Sequence, residues 1–366
     1  MRAIVVVIGT VLWLSGWVLA RQVVFLPPEL DTPIATTESQ HTTPWPANAL
    51  RDRWPEPVSS TQLRDQLYHN ALYAAAAYCP RAQVLDWSCG HKCPTLPRAP
   101  FVVHHYAEYA PRGLAAYLGY QMDSAAKTAL VVLAFRGSSD VHSWAYDLEF
   151  AHLNHTYDES RDARVHGGFY TGFQLLRDEF RIPWQKLIQH LATKELQAVT
   201  ILATGHSLGG ALAVFQYLDF AQNPNDYFPL AWASRALVSL NLTTVGEPRV
   251  GNRDFATLVY DTTVNQTLTN VPFPFKHLGV HRLTAHNDLI PNLPPTTLGF
   301  YHHPHEYWLS YGIGSHLTQL YRCPDVVTKG SQTRVKENWL CVKGQPTPNM
   351  YAHMAVWDIA FGPVCL

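Results

Sequence analysis

The chain has 366 residues, of which 47% are hydrophobic and 15% charged, and its 27 basic and 28 acidic residues leave a formal net charge of −1. This composition is ample for a packed core and excludes a disordered or fibrous protein. The near-zero charge excludes a long-range field that would draw the chain to nucleic acid or anionic lipid, so partners must be recognised by shape, apolar contact or chemistry.

Residues 1–20 predict a secretory signal peptide. A short positive start precedes an apolar run from Ala3 to Leu19, and Val18 and Ala20 occupy the −3 and −1 positions of a cleavage site. An uncleaved membrane anchor is the alternative, because about 17 apolar residues approach the lower limit for a spanning helix. Residues 21–60 are rich in Pro and Thr without periodicity, which predicts an extended arm or a pro-segment. We therefore expect a secreted, extracellular protein.

Two further patterns fit secretion. Asn-X-Thr triplets make Asn154, Asn241 and Asn265 candidates for N-glycosylation. The six cysteines, an even number, predict a disulfide framework whose connectivity the spacing alone leaves open.

From residue 61 onwards, hydrophobic periodicity predicts alternating helices and strands. In chain order, the predicted elements are a helix from about 61 to 79, strands over 114–122 and 128–135, a long helix over 169–196, a strand over 198–204, a helix over 208–221, and strands over 237–245 and 280–284. Pro183 would kink or split the long helix. Apolar strands that alternate with helices predict an α/β domain over 61–366, with a mostly parallel central sheet covered by helices on both faces.

The central chemical signal is the pentapeptide 205–209, GHSLG, which fits the G-x-S-x-G nucleophile elbow. The predicted strand ends just before it and the predicted helix begins at Leu208, so the turn would present the hydroxyl of Ser207 at the carboxyl edge of the sheet. A Gly-rich turn without chemistry is the alternative interpretation.

A serine hydroxyl needs a positioned base, and the base needs an acid to orient it. In α/β domains that carry a G-x-S-x-G elbow, the nucleophilic serine comes first along the chain, the acid second and the histidine last. Asp288 follows the predicted strand 280–284 and suits the acid. Spacing does not choose the base among the later histidines, which are His302, His303, His305, His316 and His353.

Six sequence blocks carry a family resemblance: VVLAFRGS at 131–138, VHGGFYTGF at 165–173, TGHSLGG at 204–210, TVGEPRVGN at 244–252, and the stretches 282–295 and 301–308. Together these blocks resemble the class 3 lipases, the fungal-type secreted lipases, and the related feruloyl esterases. The resemblance spans about residues 61–366 and implies the α/β-hydrolase fold.

The resemblance implies Ser207 as nucleophile, Asp288 as acid and His353 as base, with an oxyanion hole formed by the backbone N–H groups of Ser138 and Leu208. An acyl-enzyme would form and water would release it. Because the base must start neutral, activity should fall below a pH near the imidazole pKa of about 6.5.

The histidines at 302–305 match a family motif that is not the catalytic base. Their spacing fits no zinc signature, so we predict no metal and no cofactor.

Residues 139–150 lie where fungal lipases carry a mobile lid. The apolar residues Val141, Trp144, Ala145 and Leu148 fall at i, i+3, i+4 and i+7, on one helical face. A lid that covers an acyl groove in water and turns this face to lipid needs such a pattern. A fixed surface helix packed on the core has the same pattern.

The resemblance also implies the disulfide pairs Cys79–Cys365, Cys89–Cys93 and Cys323–Cys341. The expected function is a secreted triacylglycerol lipase acting at an oil–water interface, with no nucleic acid and no obligate protein partner. The alternatives are a carboxylesterase of soluble esters, such as a feruloyl esterase, and a catalytically silent lipid-binding protein.

Overall fold

The computed structural model describes residues 54–94, 99–138, 140, 152–228, 236–264, 275–311, 318–328 and 333–365. The α-helices of this part are α1 (Thr61–Ala76), α2 (Arg81–Leu85), α3 (Gly167–Ala192), α4 (Leu208–Gln222), α5 (Pro224–Tyr227) and α6 (Arg253–Val264). Its strands are β1 (Glu56–Pro57), β2 (Phe101–Tyr109), β3 (Leu114–Asp123), β4 (Thr128–Phe135), β5 (His155–Asp158), β6 (Ala163–Val165), β7 (Ala198–His206), β8 (Leu237–Val245), β9 (Gly251–Asn252), β10 (Phe275–Ala285), β11 (Phe300–Tyr301), β12 (Glu306–Tyr311), β13 (Thr318–Arg322), β14 (Val326–Thr328), β15 (Arg334–Lys336), β16 (Ala355–Val356) and β17 (Ile359–Ala360).

The central sheet of the described residues has nine strands in the order β1-β13-β12-β10-β8-β7-β4-β3-β2. Its five middle strands, from β12 to β4, run parallel. The strands at both edges pair antiparallel. The predicted α/β class is confirmed, and the parallel middle brings the carboxyl ends of β7, β8 and β10 to one edge of the sheet.

Helices pack on both faces of this sheet. Because successive strand residues point to opposite faces, Val199, Ile201 and Ala203 of β7 join the largest hydrophobic cluster with α3 and α4. Leu202 of the same strand joins a second cluster on the other face, where α1 lies against β7 and β8. The apolar alternation along β7 therefore fixes which helices cover which face.

Several predicted elements match the structure closely. Helix α1 begins at Thr61, and the hydroxyl of Ser60 caps it by accepting a hydrogen bond from the Leu63 N–H at 3.2 Å. The strand predicted over residues 237–245 spans the same residues in the structure, as β8. The predicted split at Pro183 is wrong, because α3 continues past this residue as one helix.

The end of the predicted arm joins the sheet. Glu56 and Pro57 pair with Arg322 and Tyr321 of β13, and the Val58 N–H donates to the Leu320 carbonyl at 2.9 Å. The predicted signal peptide and residues 21–53 lie outside the described residues. Within the described part, none of the helices combines the length and the hydrophobicity needed to cross a bilayer.

Three disulfides join the six cysteines in the pairs that the resemblance implied. They are Cys79–Cys365, Cys89–Cys93 and Cys323–Cys341. The first ties the end of α1 to the end of the chain, across a sequence separation of 286 residues.

Candidate active site

The turn between β7 and α4 carries Ser207. Strand β7 ends at His206 and α4 begins at Leu208, which leaves Ser207 alone between them with φ 58° and ψ −129°. Positive φ is uncommon for a residue other than glycine and costs free energy. The surrounding structure holds it there: the Ser207 N–H donates to the Val245 carbonyl at 2.9 Å, and the residue is fully buried. This strained strand-to-helix turn is the geometry of a nucleophile elbow.

Asp288 and His353 meet at the carboxyl edge of the same sheet. Asp288 follows β10, His353 lies on a short 3-10 turn over Tyr351–His353, and His353 Nδ1 is 2.9 Å from Asp288 Oδ2. The second carboxylate oxygen accepts the Ile290 N–H at 2.9 Å. Because a carboxylate only accepts, Nδ1 of His353 carries the proton and Nε2 is left as an acceptor.

The buried polar atoms at this edge that have no hydrogen-bond partner among the described residues include the Ser207 Oγ and the His353 Nε2. Buried polar atoms in native proteins are nearly always paired, so an unpaired one requires an explanation. Here one atom is a potential nucleophile and the other a potential proton acceptor. Their lack of partners leaves both available for chemistry.

Gly246 makes room for the Asp–His pair. It follows β8 with φ +56°, and a Cβ there would lie 2.8 Å from His353 Nδ1 and 3.0 Å from Asp288 Oδ2. Only glycine fits this position. Sequence reasoning did not single it out, although it lies within the block TVGEPRVGN.

A second histidine, His206, lies behind His353. Its Nε2 is 2.9 Å from the His353 carbonyl oxygen, and its ring lies between those of His353 and Phe361, with centroids 4.3 and 4.0 Å away. A carbonyl only accepts, so Nε2 donates and Nδ1 accepts from the Tyr78 hydroxyl at 2.7 Å. Burial, reinforced by the neighbouring His353, lowers the pKa of His206 well below its ordinary value, so its ring stays neutral.

The same tyrosine anchors the loop after β4. The Gly137 N–H hydrogen-bonds to the Tyr78 hydroxyl. A Cβ at Gly137 would lie 2.1 Å from that hydroxyl and 3.0 Å from the Ser207 Cβ, so only a glycine lets the loop lie this close to the elbow. Ser138 comes next, partly exposed, and its hydroxyl accepts the Asp140 N–H at 3.3 Å. Of the two residues predicted for an oxyanion hole, Leu208 directly follows Ser207 along the chain, and Ser138 directly follows Gly137, which lies against Ser207.

A buried ion pair supports the loop that carries Asp288. Arg249 contacts both carboxylate oxygens of Glu337, at 2.6 and 2.7 Å, and donates to the carbonyls of Asn292 and Pro294. Burial by itself would raise the pKa of Glu337, but the Arg249 guanidinium and the Lys343 ammonium lower it to about 2. Sequence reasoning missed this pair because its partners are 88 residues apart.

Two of the three histidines at 302–305 lie against the same carboxylate. His302 Nδ1 and His303 Nε2 are 3.8 and 3.2 Å from the carboxylate oxygens of Glu247, and His302 Nε2 donates to the Pro291 carbonyl at 2.8 Å. His305 contacts a different carboxylate, that of Asp325, at 3.0 Å. These contacts connect the loops around the sheet edge.

The remaining predicted site residues are placed as follows. Asn154 is exposed, and its Oδ1 accepts the Gly167 N–H at 2.7 Å. Asn241 lies within β8. The other predicted residues lie outside the described part of the chain: Val141, Trp144, Ala145, Leu148 and Asn265.

A serine on a strand-to-helix elbow of a mixed sheet, followed along the chain by an aspartate and a histidine that pair with each other, defines the α/β-hydrolase class. The family model described as "Lipase (class 3)" matches residues 132–298. A lipase of Rhizopus niveus is 32% identical over 190 residues, which are 52% of this chain and 41% of that protein. The chain thus aligns with about two fifths of the length of such curated relatives.

Two further relatives agree. The secreted mono- and diacylglycerol lipase A of Penicillium cyclopium is 29% identical over 259 residues, which are 69% of this chain and 72% of that protein. The solved structure of lipase II from Rhizopus niveus superposes with a TM-score of 0.61 at 25% identity, covering 85% of this chain and 99% of that one. These comparisons confirm the resemblance seen in the sequence motifs: the chain is similar to the class 3 lipases over residues 132–298 and to the Penicillium lipase over 259 residues.

Proposed function

We propose that this protein is a secreted lipase that hydrolyses the carboxylic esters of acylglycerols with Ser207, His353 and Asp288. The observation that carries the proposal is the set of unpaired atoms at the elbow, since Ser207 Oγ and His353 Nε2 are both buried and free of partners in the described structure. His353 Nε2 takes the proton as Oγ attacks the ester carbonyl. Asp288 orients the imidazole and stabilises its charged form.

The acyl-enzyme then forms and breaks by the same route. The protonated His353 returns its proton to the departing alcohol, and a water molecule repeats the attack on the acyl-enzyme. The N–H groups of Leu208 and Ser138 donate to the oxygen that becomes negatively charged. Each such donor is worth about 3 to 4 kcal/mol in the transition state.

The substrate class rests on the relatives and on the apolar pattern over 139–150. One group of relatives is named lipase, and another is named for mono- and diacylglycerols. Residues 139–150 are proposed as a lid on their apolar sequence pattern and on their position, which matches that of the lid in fungal lipases. Acylglycerols are therefore the preferred substrates, and a soluble feruloyl ester is the competing one.

The test is the hydrolysis rate measured against concentration for a triacylglycerol, across its solubility limit, beside a diacylglycerol and a soluble feruloyl ester. We expect the rate on acylglycerol to rise sharply once an oil phase appears. A smooth saturating curve, with preference for the feruloyl ester, would instead identify an esterase of soluble substrates.

Two variants separate an enzyme from a lipid-binding protein. Ser207→Ala should lower kcat by roughly 10⁴-fold or more while leaving the fold intact. Ser160→Ala is the matched control, because Ser160 is exposed and its hydroxyl contacts only the neighbouring Asp158 in the described structure. Hydrolysis that survives Ser207→Ala would overturn the assignment of the nucleophile.

A further inference from the structure

The face of the central sheet beneath α1 is solvent-accessible at the amino ends of the parallel strands. Along β7, Ala198 and Thr200 are partly exposed, whereas Val199 and Ile201, which point to the other face, are buried. Strand β8 has the same alternation. Helix α1 packs on these strands nearer their carboxyl ends. The result is a cleft of about 740 Å³ between α1 and the sheet, at the end of the sheet opposite Ser207.

The floor of this cleft is one row of residues that crosses five strands. In register from β3 to β10, the row consists of Gln121, Leu130, Thr200, Ser239 and His277. Amide and hydroxyl groups dominate it, and no lysine or arginine lines the cleft within the described residues. Such a lining suits a neutral, hydroxyl-rich molecule and offers no counter-charge to an anion.

Two buried polar atoms on residues that line the cleft have no partner among the described residues. They are the Tyr73 Oη, on a side chain 1% exposed, and the Gln121 Oε1, on a side chain 8% exposed. Leaving a buried polar group unpaired costs about 1 to 3 kcal/mol. Both atoms have almost no solvent-accessible surface, so they lie behind the wall of the cleft and make its surroundings polar without touching its contents.

The cleft also contains an Asn-X-Thr acceptor. Asn241 of the triplet Asn241-Leu242-Thr243 lines it, is partly exposed, and makes no side-chain hydrogen bond within the described structure. Its neighbour in register on β10 is Gly279, where a Cβ would lie only 2.4 Å from the Asn241 Oδ1. The missing side chain at Gly279 gives Asn241 room to lean over β10.

A route to solvent continues past Gly279. Strand β12 pairs with β10 only from Arg282 onwards, so at the level of Gly279 the described structure places no strand on the far side of β10. A branched chain attached to Asn241 can therefore leave the cleft across β10 at the side of the sheet.

We propose that Asn241 carries an N-linked glycan whose first N-acetylglucosamine units lie in this cleft. Transfer from a lipid-diphosphate-linked oligosaccharide forms a bond between Asn241 Nδ2 and the anomeric carbon; the lipid diphosphate leaves and the amide loses one proton. In the folded chain the hydroxyl of Thr243, the third residue of the acceptor triplet, lies beneath α1, where its Oγ1 accepts a hydrogen bond from Asn70 Nδ2 at 2.9 Å. The sugar is therefore added before folding, while Thr243 is still free.

The test is peptide mass spectrometry of the full chain secreted from a yeast host, before and after treatment with peptide:N-glycosidase. We expect the Asn241 peptide to be glycosylated, and the native protein to lose this glycan at least tenfold more slowly than the denatured protein. The exposed Asn154 is the internal control, because a glycan there should be released at similar rates in both states. Asn241→Gln and Asn154→Gln, made as a matched pair, assign the mass of each glycan.

Each contrary outcome has one meaning. An unmodified Asn241 overturns the proposal, and a glycan on Asn154 in the same sample shows that the chain did enter the secretory pathway. A glycan on Asn241 that is released equally fast from native and denatured protein overturns its placement in the cleft. Neither result depends on the esterase activity, so the proposed function is tested separately.

Discussion

The Tyr78→Phe variant tests whether the network behind His353 positions the catalytic base. The change removes one hydroxyl from a buried side chain and adds no heavy atom. That hydroxyl donates to His206 Nδ1 at 2.7 Å and accepts the Gly137 N–H. His206 in turn holds the His353 carbonyl at 2.9 Å. One deleted oxygen therefore loosens both the backbone of the proposed base and the proposed oxyanion loop.

The expected size follows from the groups left unpaired. A buried donor or acceptor without a partner costs about 1 to 3 kcal/mol, and Tyr78→Phe leaves two of them, His206 Nδ1 and the Gly137 N–H. We expect the free energy of unfolding to fall by about 2 to 6 kcal/mol. If about 1.4 kcal/mol of that loss appears in the transition state, kcat falls about tenfold with KM unchanged.

The assay uses a short-chain soluble ester, so that no lipid interface complicates kcat and KM, together with denaturant unfolding. The matched control is Tyr217→Phe, because Tyr217 is also buried and its hydroxyl contacts Thr263 at 3.3 Å, away from the site. Unfolding stability should fall in both variants, but kcat should fall only in Tyr78→Phe. Equal kcat values in the two variants would refute the positioning role and leave Tyr78 as a purely structural residue.

Two further variants test the supports of the site. Glu337→Gln leaves Arg249 buried without a counter-charge and should lower the free energy of unfolding by about 3 to 5 kcal/mol at pH 7. The pKa of Glu337 falls from its ordinary value of 4.5 to about 2, so its contribution of about 3 kcal/mol is complete above pH 4.5 and is lost as the pH falls towards 2. Denaturant unfolding between pH 7 and 2 should show this acid-dependent loss in the wild type and not in the variant; equal slopes would contradict it. Replacing both Cys79 and Cys365 by Ser opens a loop of 286 residues and should lower the unfolding free energy by up to about 5 kcal/mol, and an unchanged denaturation midpoint would show that this disulfide does not stabilise the fold.

The parts of the site that sequence reasoning found are those with local signals. The elbow combines a β-branched run, a G-x-S-x-G turn and an apolar helix within 25 residues of chain, 198–222, and the structure places β7, Ser207 and α4 there. Helix α1 was equally predictable from its Ser60 cap and its helical periodicity. Strand β2 was missed because two adjacent histidines interrupt its alternation, and a bulge shifts its register near Val103.

The contacts that sequence reasoning could not find are long-range pairs between buried polar groups. Tyr78 and His206 are 128 residues apart, and Arg249 and Glu337 are 88 residues apart. Neither pair has a periodicity, because each partner is a single polar residue whose burial depends on where its own element packs. Both pairs become visible only when the sheet brings the ends of separate elements together.

The cleft beneath α1 shows that a local pattern can be present in the sequence and still be undervalued. A strand of a parallel sheet covered on both faces should be apolar at nearly every position. Strands β7 and β8 depart from this at every second residue near their amino ends, with Thr200 on β7 and Ser239 and Asn241 on β8. A polar period of two at the start of two adjacent strands indicates a face that its helix covers only in part. The cleft, the acceptor Asn241 and the unpaired atoms around it all lie on that face.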